Sequence, residues 1–488
     1  MKRDDLSIKI FDGLAILAVA FLFFLELCRI YSGGVSSDDF EHLSSAWWIY
    51  NGYEPYRDFF QHHNPLFWYL IQPFFSLVNH PLEAFFLLRQ FVCFCHIVDL
   101  LLIFLITRLL GGSKRVALYA LLIYFSYPLL FLFYYIQGRP DNPMLTSLLL
   151  GVYFWIQFFQ KQKRVFLILC YAFLFLSFAF LQKVILFFIP FGIYQLYLLY
   201  RKKLSWKDVG YALIFPVSIT IGYALYLYHI GMLWRYIELN WILNFYFFRD
   251  YKIYRLTVYD WIYHFLFCTF LIYGILKGKG LIRQLSVLLL GFSCLFFMIP
   301  KPYRYYYMLF APFMSIVVAL GIDGIKKKYF KMLIISFCLI CASRSFLRCS
   351  KAIEPPVIYK FMSYFKELEK LSENEWMNYN SPTIFSLYLK KPRQYYWYNL
   401  GRGALWDMHL FHRHEIQNYD NWIYQNKPLI IIGYRILNYM HTPDKKSTDV
   451  LMELDEEFLN KYYEEPETDI KVYRLKTYNA KRNKEGLL

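Results

Sequence analysis

Acidic residues are scarce in this chain: 36 Asp and Glu stand against 53 Lys and Arg in 488 residues, and charged residues of every kind make up only 18%. Cysteine offers little chemistry. Of the nine, Cys93, Cys95, Cys170, Cys268, Cys294, Cys338 and Cys341 sit inside apolar runs and form neither a disulfide framework nor a metal-binding set. No Asn-x-Ser/Thr acceptor site is present, which suits a bacterial source, and no repeat or low-complexity segment interrupts the chain. The first apolar run lacks a small-residue cleavage site, so it reads as a retained span and not a removable signal peptide.

Apolar residues fill the space that charge leaves. They make up 58% of the chain and aromatic residues 22%, more than a soluble core of this size needs, which points to lipid as the solvent. Many of the runs are long enough to cross about 30 Å of hydrocarbon as helices. The net charge of +17 could suggest nucleic acid, but its distribution excludes that reading. Basic residues collect in short gaps, in "SKR" (113–115), "KQKR" (161–164), "RKKLSWK" (201–207), "KGKGLIR" (277–283) and "KKKYFK" (326–331), as in the cytoplasmic loops of membrane proteins.

About eleven spans are expected, near 8–31, 85–108, 116–135, 144–160, 165–181, 184–200, 208–230, 261–277, 284–299, 305–323 and 332–349. The run at 165–200 must be two helices, because one helix of that length would extend about 54 Å at 1.5 Å per residue. Gln182 and Lys183 then form the tip of a tight hairpin. With the N-terminus in the cytoplasm, the gaps at 32–84, 136–143, 182–183, 231–260 and 300–304 all face outward, as does the tail from about 350. The expected fold is mainly α, a polytopic membrane helix bundle with interfacial helices in the first outer loop. Residues 1–349 form the membrane module and 350–488 a small extracytoplasmic α/β domain. In that tail "YKFMSYFKELEKL" and "DVLMELDEEFLNKYY" read as helices, and "KPLIIIGY" and "IKVYRL" as strands.

Chemistry concentrates in the outer gaps. "SSDDFEH" (36–42) opens a helix whose apolar positions Phe40, Leu43, Trp47 and Tyr50 face the lipid, and a second interfacial helix follows Pro65. Asp38 could be a helix cap with Glu41 three positions on. His42, His62 and His63 could hold a metal, although local hydrogen bonding is the commoner fate of such histidines, and no metal or other cofactor is expected. "GRPDNP" (138–143) could be no more than a turn, Lys183 an interfacial snorkel, and "KPYRYYY" (301–307) an aromatic belt. The combination argues for more. Asp38 or Asp39 and Asp141 supply acids, and Lys183, Lys301 and Arg304 supply cations, on one side of the membrane. Such a set suits deprotonation of an acceptor hydroxyl and release of an anionic lipid phosphate.

The stretch "SSDDFEHLSSAWWIYNGYEPYRDFFQHHNPLFWYL" (36–70) resembles the first outer loop of the glycosyltransferase-C superfamily, above all the bacterial relatives of protein O-mannosyltransferases and of aminoarabinose transferase. The shared features are an acidic pair before a helix, "G-x-x-P-Y-x-D-F" and "H-x-P-L-x-x-Y". The resemblance implies an integral enzyme of the bacterial inner membrane. It would move a sugar from a polyprenyl-phosphate donor to a glycan, glycolipid or protein acceptor, with inversion. Asp38 is then the catalytic base. Asp39, where the family usually has Glu, and Asp141 orient acceptor or sugar, and His62 and His63 line the pocket. Lys183, Lys301, Arg304 and Tyr305 lie near the lipid phosphate. Arg139, outside what the resemblance carries over, is a further candidate for substrate binding, or no more than the partner of Asp141. Where the aminoarabinose branch has Lys before "P-P-L", this chain has His63, Asn64 and Pro65. The alternatives are a polysaccharide polymerase or ligase with a lipid-diphosphate donor, and a lipid or sugar transporter. Transport is disfavoured by the lack of repeated halves and by charges placed at span ends instead of the midplane.

Overall fold

A computed structural model describes residues 3–32, 37–127, 136–244, 258–298 and 304–350, and in the tail chiefly 375–378, 423–433, 456–464 and 471–477. A helix lies at each position where a span is expected: α1 (Arg3–Ser32), α4 (Ala84–Leu109), α5 (Lys114–Ser126), α6 (Asp141–Lys161), α7 (Arg164–Phe180), α8 (Ile185–Tyr200), α9 (Trp206–His229), α11 (Val258–Lys277), α12 (Gly280–Phe297), α13 (Ala311–Gly324) and α14 (Lys328–Ser350). Shorter helices α2 (Ser37–Tyr50), α3 (Leu66–Ile71) and α10 (Leu233–Ile237) lie between them. Among the described residues seven helical segments are long and apolar enough to cross a membrane. Large apolar side chains on their outward faces, such as Ile214, Ile221 and Leu225 of α9, stay uncovered, as lipid-facing residues do. The chain is a multi-pass membrane protein.

Lipid tails are as apolar as leucine, so these helices associate through shape and packing and not by escaping water. Gly151 shows how. A Cβ there would lie 2.7 Å from Leu174 Cδ2, so only glycine lets α6 lie this close to α7. Farther along, Phe187 of α8 stacks on Phe313 of α13 with ring centres 5.5 Å apart, and meets Phe292 of α12 at 5.9 Å. The break at 181–184 is present: Leu181 is extended and Gln182–Val184 is a 3-10 turn. Ring contacts Phe178–Phe188 and Tyr171–Phe191 pair α7 and α8 antiparallel, as a hairpin requires.

One expectation changes. The apolar stripe of α2 does not face lipid at Phe40 and Leu43, which are fully buried against protein, with Phe40 stacked on Phe85 of α4 at 5.2 Å. The stripe is a packing face, and only Tyr50 at its end is exposed. The Lys183 side chain is 9% exposed and turned into the protein, which sets aside the alternative of an interfacial snorkel.

At the opposite end of the helices the basic gaps form ion pairs with acids of other helices. Arg115 pairs with Asp12 at 2.8 Å and Arg164 with Asp208 at 2.5 Å, both pairs partly exposed. In the tail, β1 (Trp376–Asn378) runs parallel to β2 (Ile430–Gly433), which pairs antiparallel with β3 (Lys471–Arg474) in the order β1-β2-β3. The last two fall in the segments expected as strands. Glu456–Tyr462 is helical as expected, whereas most of "YKFMSYFKELEKL" lies outside the described residues.

Candidate active site

The first outer loop is held by its own side chains. After α2, "NGYEPYRDFF" closes into a turn in which Asp58 Oδ2 accepts from Glu54 N at 2.7 Å and Tyr56 N donates to Phe59 O at 3.0 Å. Tyr56 is buried in the left-handed region at φ 68°, a conformation that costs a non-glycine residue about 1–3 kcal/mol and persists only where its surroundings enforce it. Its hydroxyl donates to His63 O at 2.6 Å. The second outer gap is equally compact. Arg139 N donates to Gln137 O at 2.8 Å, Pro140 caps α6, and Asp141 opens that helix, where the aligned backbone N–H groups favour an anion.

These loops bring charges together in one chain of contacts. Asp38, in the first turn of α2, is ion-paired with Arg139. The Arg139 Nε donates to Asp141 Oδ2 at 3.0 Å, and Lys183 donates to Asp141 Oδ1. Tyr305 lies beneath both cations, its ring centre 3.7 Å from the Arg139 guanidinium carbon and 5.2 Å from Lys183 Nζ, with Tyr306 at 4.6 Å from that Nζ. Exposure separates the carboxylates. The Asp38 side chain is 33% exposed, while those of Asp141 and Arg139 are 0% and 6% exposed. Burial works against the charge on Arg139, but Asp141 and Tyr305 outweigh it and raise its pKa.

Asp39 is placed differently from its neighbour. It is fully buried, with Oδ1 accepting from Gly138 N and Oδ2 lying 3.5 Å from Arg89. It therefore ties α2 to the second outer loop and to α4. Gly138 is required at this junction, because a Cβ there would fall 2.3 Å from Leu88 Cδ2.

His42, His62 and His63 gather on the same side of the loop. His62 and His63 rings are 3.9 Å apart, and His42 stands 5.4 Å from His63 while its Nδ1 accepts from Trp68 Nε1 at 3.1 Å. Burial pushes His42 and His63 down to about 3 and holds His62 well below its ordinary value, so all three are neutral imidazoles. Burial pushes Glu41 up to about 7, although a hydrogen bond from Gln61 pulls the other way. Of the remaining expected site residues, Lys301 lies outside the described residues, and Arg304 begins the 3-10 turn Arg304–Leu309 that carries Tyr305.

Arg89, Glu41 and Gln137 were not foreseen. Arg89 is a fully buried cation inside an apolar run, which is costly enough in a membrane protein to be a signal in itself. Gln137 is buried with both side-chain amide atoms lacking a hydrogen-bond partner among the described residues. Nothing in its sequence context marks it.

Comparisons with known proteins bear on this arrangement. Residues 62–225 match the family model described as dolichyl-phosphate-mannose-protein mannosyltransferase. The crystal structure of ArnT from Cupriavidus metallidurans bound to undecaprenyl phosphate superposes with a TM-score of 0.62 at 10% identity, covering 95% of this chain and 98% of that one. The chain has the glycosyltransferase-C fold. The apo structure of the same ArnT gives a TM-score of 0.58 at 11% identity over 86% of this chain and 93% of that one. No curated protein matches the chain in sequence. In this glycosyltransferase-C fold, the resemblance first carried by residues 36–70 extends to the architecture of nearly the whole chain.

Proposed function

We propose that this chain is a membrane glycosyltransferase that moves a sugar from a polyprenyl-phosphate donor to an acceptor outside the cytoplasm. The observation that carries the reading is the buried chain Asp38–Arg139–Asp141–Lys183 over Tyr305, with Asp38 as its exposed end. The ArnT structure that shares the fold holds undecaprenyl phosphate, a ligand of the proposed donor class.

In this mechanism Asp38 takes the proton of an acceptor hydroxyl. The acceptor oxygen bonds to the anomeric carbon as the carbon–oxygen bond to phosphate breaks, and the bonding pair leaves with the polyprenyl phosphate. One displacement gives inversion. The Arg139 fork and the Lys183 ammonium, with Lys301 and Arg304, neutralise the leaving phosphate. Phosphate competes with Asp38 for Arg139, so donor binding itself frees the base. Asp141 holds the two cations in place, and Asp39 fixes the loop that carries Arg139. His62, His63 and Tyr305 line the pocket. In the same reading the module has about eleven spans and covers 1–349. Residues 350–488 form an outer α/β domain, and the N-terminus is cytoplasmic in a bacterial inner membrane.

The test uses protein in lipid nanodiscs, a panel of polyprenyl-phosphate sugars and crude cell-envelope acceptor, following free polyprenyl phosphate. Wild type is expected to release it from one donor, and Asp38→Asn to lose about 10²–10⁴ of the rate, the usual worth of a positioned base. Equal rates would remove Asp38 from the chemistry. A parallel panel of lipid-diphosphate donors, followed by free polyprenyl diphosphate, tests the alternative: release from those donors only would replace the reading with a polymerase or ligase.

A further inference from the structure

Glu41, His62 and His63 come from two elements, α2 and the turn before α3, yet each offers a ligand atom within 4.8 Å of the other two. Their surroundings hold them there. The His62 carbonyl accepts from Asn244 Nδ2 at 2.8 Å and from Gln182 Nε2 at 3.1 Å, and the His63 carbonyl accepts from the strained Tyr56. Ser45 Oγ donates to Glu41 O at 2.7 Å and accepts from Gln61 at 2.7 Å. The turn carrying both histidines is thus fixed by three side chains from three parts of the protein. The ligand atoms themselves are less well served. Glu41 Oε1 lies 3.9 Å from His62 Nδ1, too far for a hydrogen bond; this oxygen and His63 Nδ1 are buried and have no hydrogen-bond partner among the described residues, at a cost of about 1–3 kcal/mol for each such group. Backbones fixed from behind keep the three ligand atoms close together, and the two unsatisfied atoms are open to an ion.

We propose that Glu41, His62 and His63 form a Zn²⁺ site beside the phosphate-binding cations. Two imidazoles and one carboxylate are the ligand set of open zinc centres, with the fourth tetrahedral position left for an oxygen of water or substrate. Imidazole ligands also set this group apart from the all-oxygen sites preferred by Mg²⁺ and Ca²⁺. The site goes beyond the glycosyl-transfer reading, and its test reads the metal, so failure of one leaves the other standing.

The full-length protein, stripped with EDTA in nanodiscs, is titrated with Zn²⁺ alone. Metal content is measured by mass spectrometry and the ligand shell by X-ray absorption. The expected result is one Zn²⁺ per chain, two imidazole nitrogens and no sulfur in the shell, and a raised thermal midpoint. His63→Gln and Glu41→Gln should each weaken binding at least tenfold. Less than stoichiometric Zn²⁺ on folded wild type would overturn the proposal, as would a sulfur-containing shell. Because the variants could lose fold, the wild-type absorption spectrum decides independently of them.

Discussion

Asp141 is the place where the energetics of the site can be tested apart from its chemistry. It lies fully buried between two cations, 3.0 Å from Arg139 Nε and in contact with Lys183. Two unit charges about 4 Å apart attract by about 4 kcal/mol at an effective dielectric constant near 20, and removing one partner of a buried pair costs about 3–5 kcal/mol. Asp141→Asn preserves shape and removes the charge, leaving Lys183 without its acidic partner and Arg139 with Asp38 alone. The expected loss is about 3–5 kcal/mol, measured by SDS titration in mixed micelles with tryptophan fluorescence as the readout. Adding Lys183→Met should return part of that loss, because it removes the stranded cation, so the pair must be non-additive by more than about 0.5 kcal/mol. Arg115→Gln is the control: its pair with Asp12 is 49% and 19% exposed, and should be worth about 1 kcal/mol or less. An Asp141→Asn protein as stable as the control variant, or an additive double variant, would refute the view that Asp141 is the counterion of the site.

Other outcomes follow from the same geometry. Arg139→Lys keeps the charge but loses the fork that joins Asp38 to Asp141; donor turnover should fall about 10²-fold while stability stays closer to wild type than in Asp141→Asn, and an unchanged rate would show that the fork is not used. Gly138→Ala drives a methyl into Leu88 and should destabilise by about 1–3 kcal/mol, with Leu88→Ala in the same chain relieving it; a neutral Gly138→Ala would mean that the second loop does not seat against α4. Thermal midpoints of the two single variants and the double variant decide this.

The legible part of this protein was local. Long apolar runs marked the helices, basic gaps separated them, and the excessive length of 165–200 forced a break where the structure has one. The illegible part was who covers what. Spacing assigned Phe40 and Leu43 to one face of α2 but could not say that Phe85 of α4 covers it instead of lipid. Arg89 was visible as a charge in an apolar run, but its tie to Asp39 spans 50 positions and depends on how α2 lies on α4. Glu41 looked like part of a helix cap until the loop after α2 turned back and set His62 and His63 against it. Asn64 stands where only a departure from the aminoarabinose branch was evident. Its Nδ2 donates to Phe178 O at 2.6 Å and its Oδ1 accepts from Tyr236 at 2.8 Å, so it stitches the loop to α7 and to α10.

Charge balance links the site to the ion proposed beside it. Among the described ion pairs, Asp38, Asp39 and Asp141 are matched by Arg89, Arg139 and Lys183, so further positive charge for a phosphate has to come from Lys301 and Arg304 of the proposed site or from an added ion. A lipid phosphate entering it brings negative charge into a buried place, where an uncompensated anion costs several kcal/mol. Pairing with Arg139 helps only by releasing Asp38, which moves the imbalance instead of removing it, until Asp38 takes the acceptor proton. Zn²⁺ on Glu41 and two neutral histidines would add one net positive charge beside the network. If the metal has that electrostatic role, stripping Zn²⁺ should weaken binding of polyprenyl phosphate more than binding of an uncharged polyprenol. Calorimetry on metal-free and Zn²⁺-loaded protein compares the two, and equal losses for both lipids would show that the ion supports the loop without acting on the phosphate.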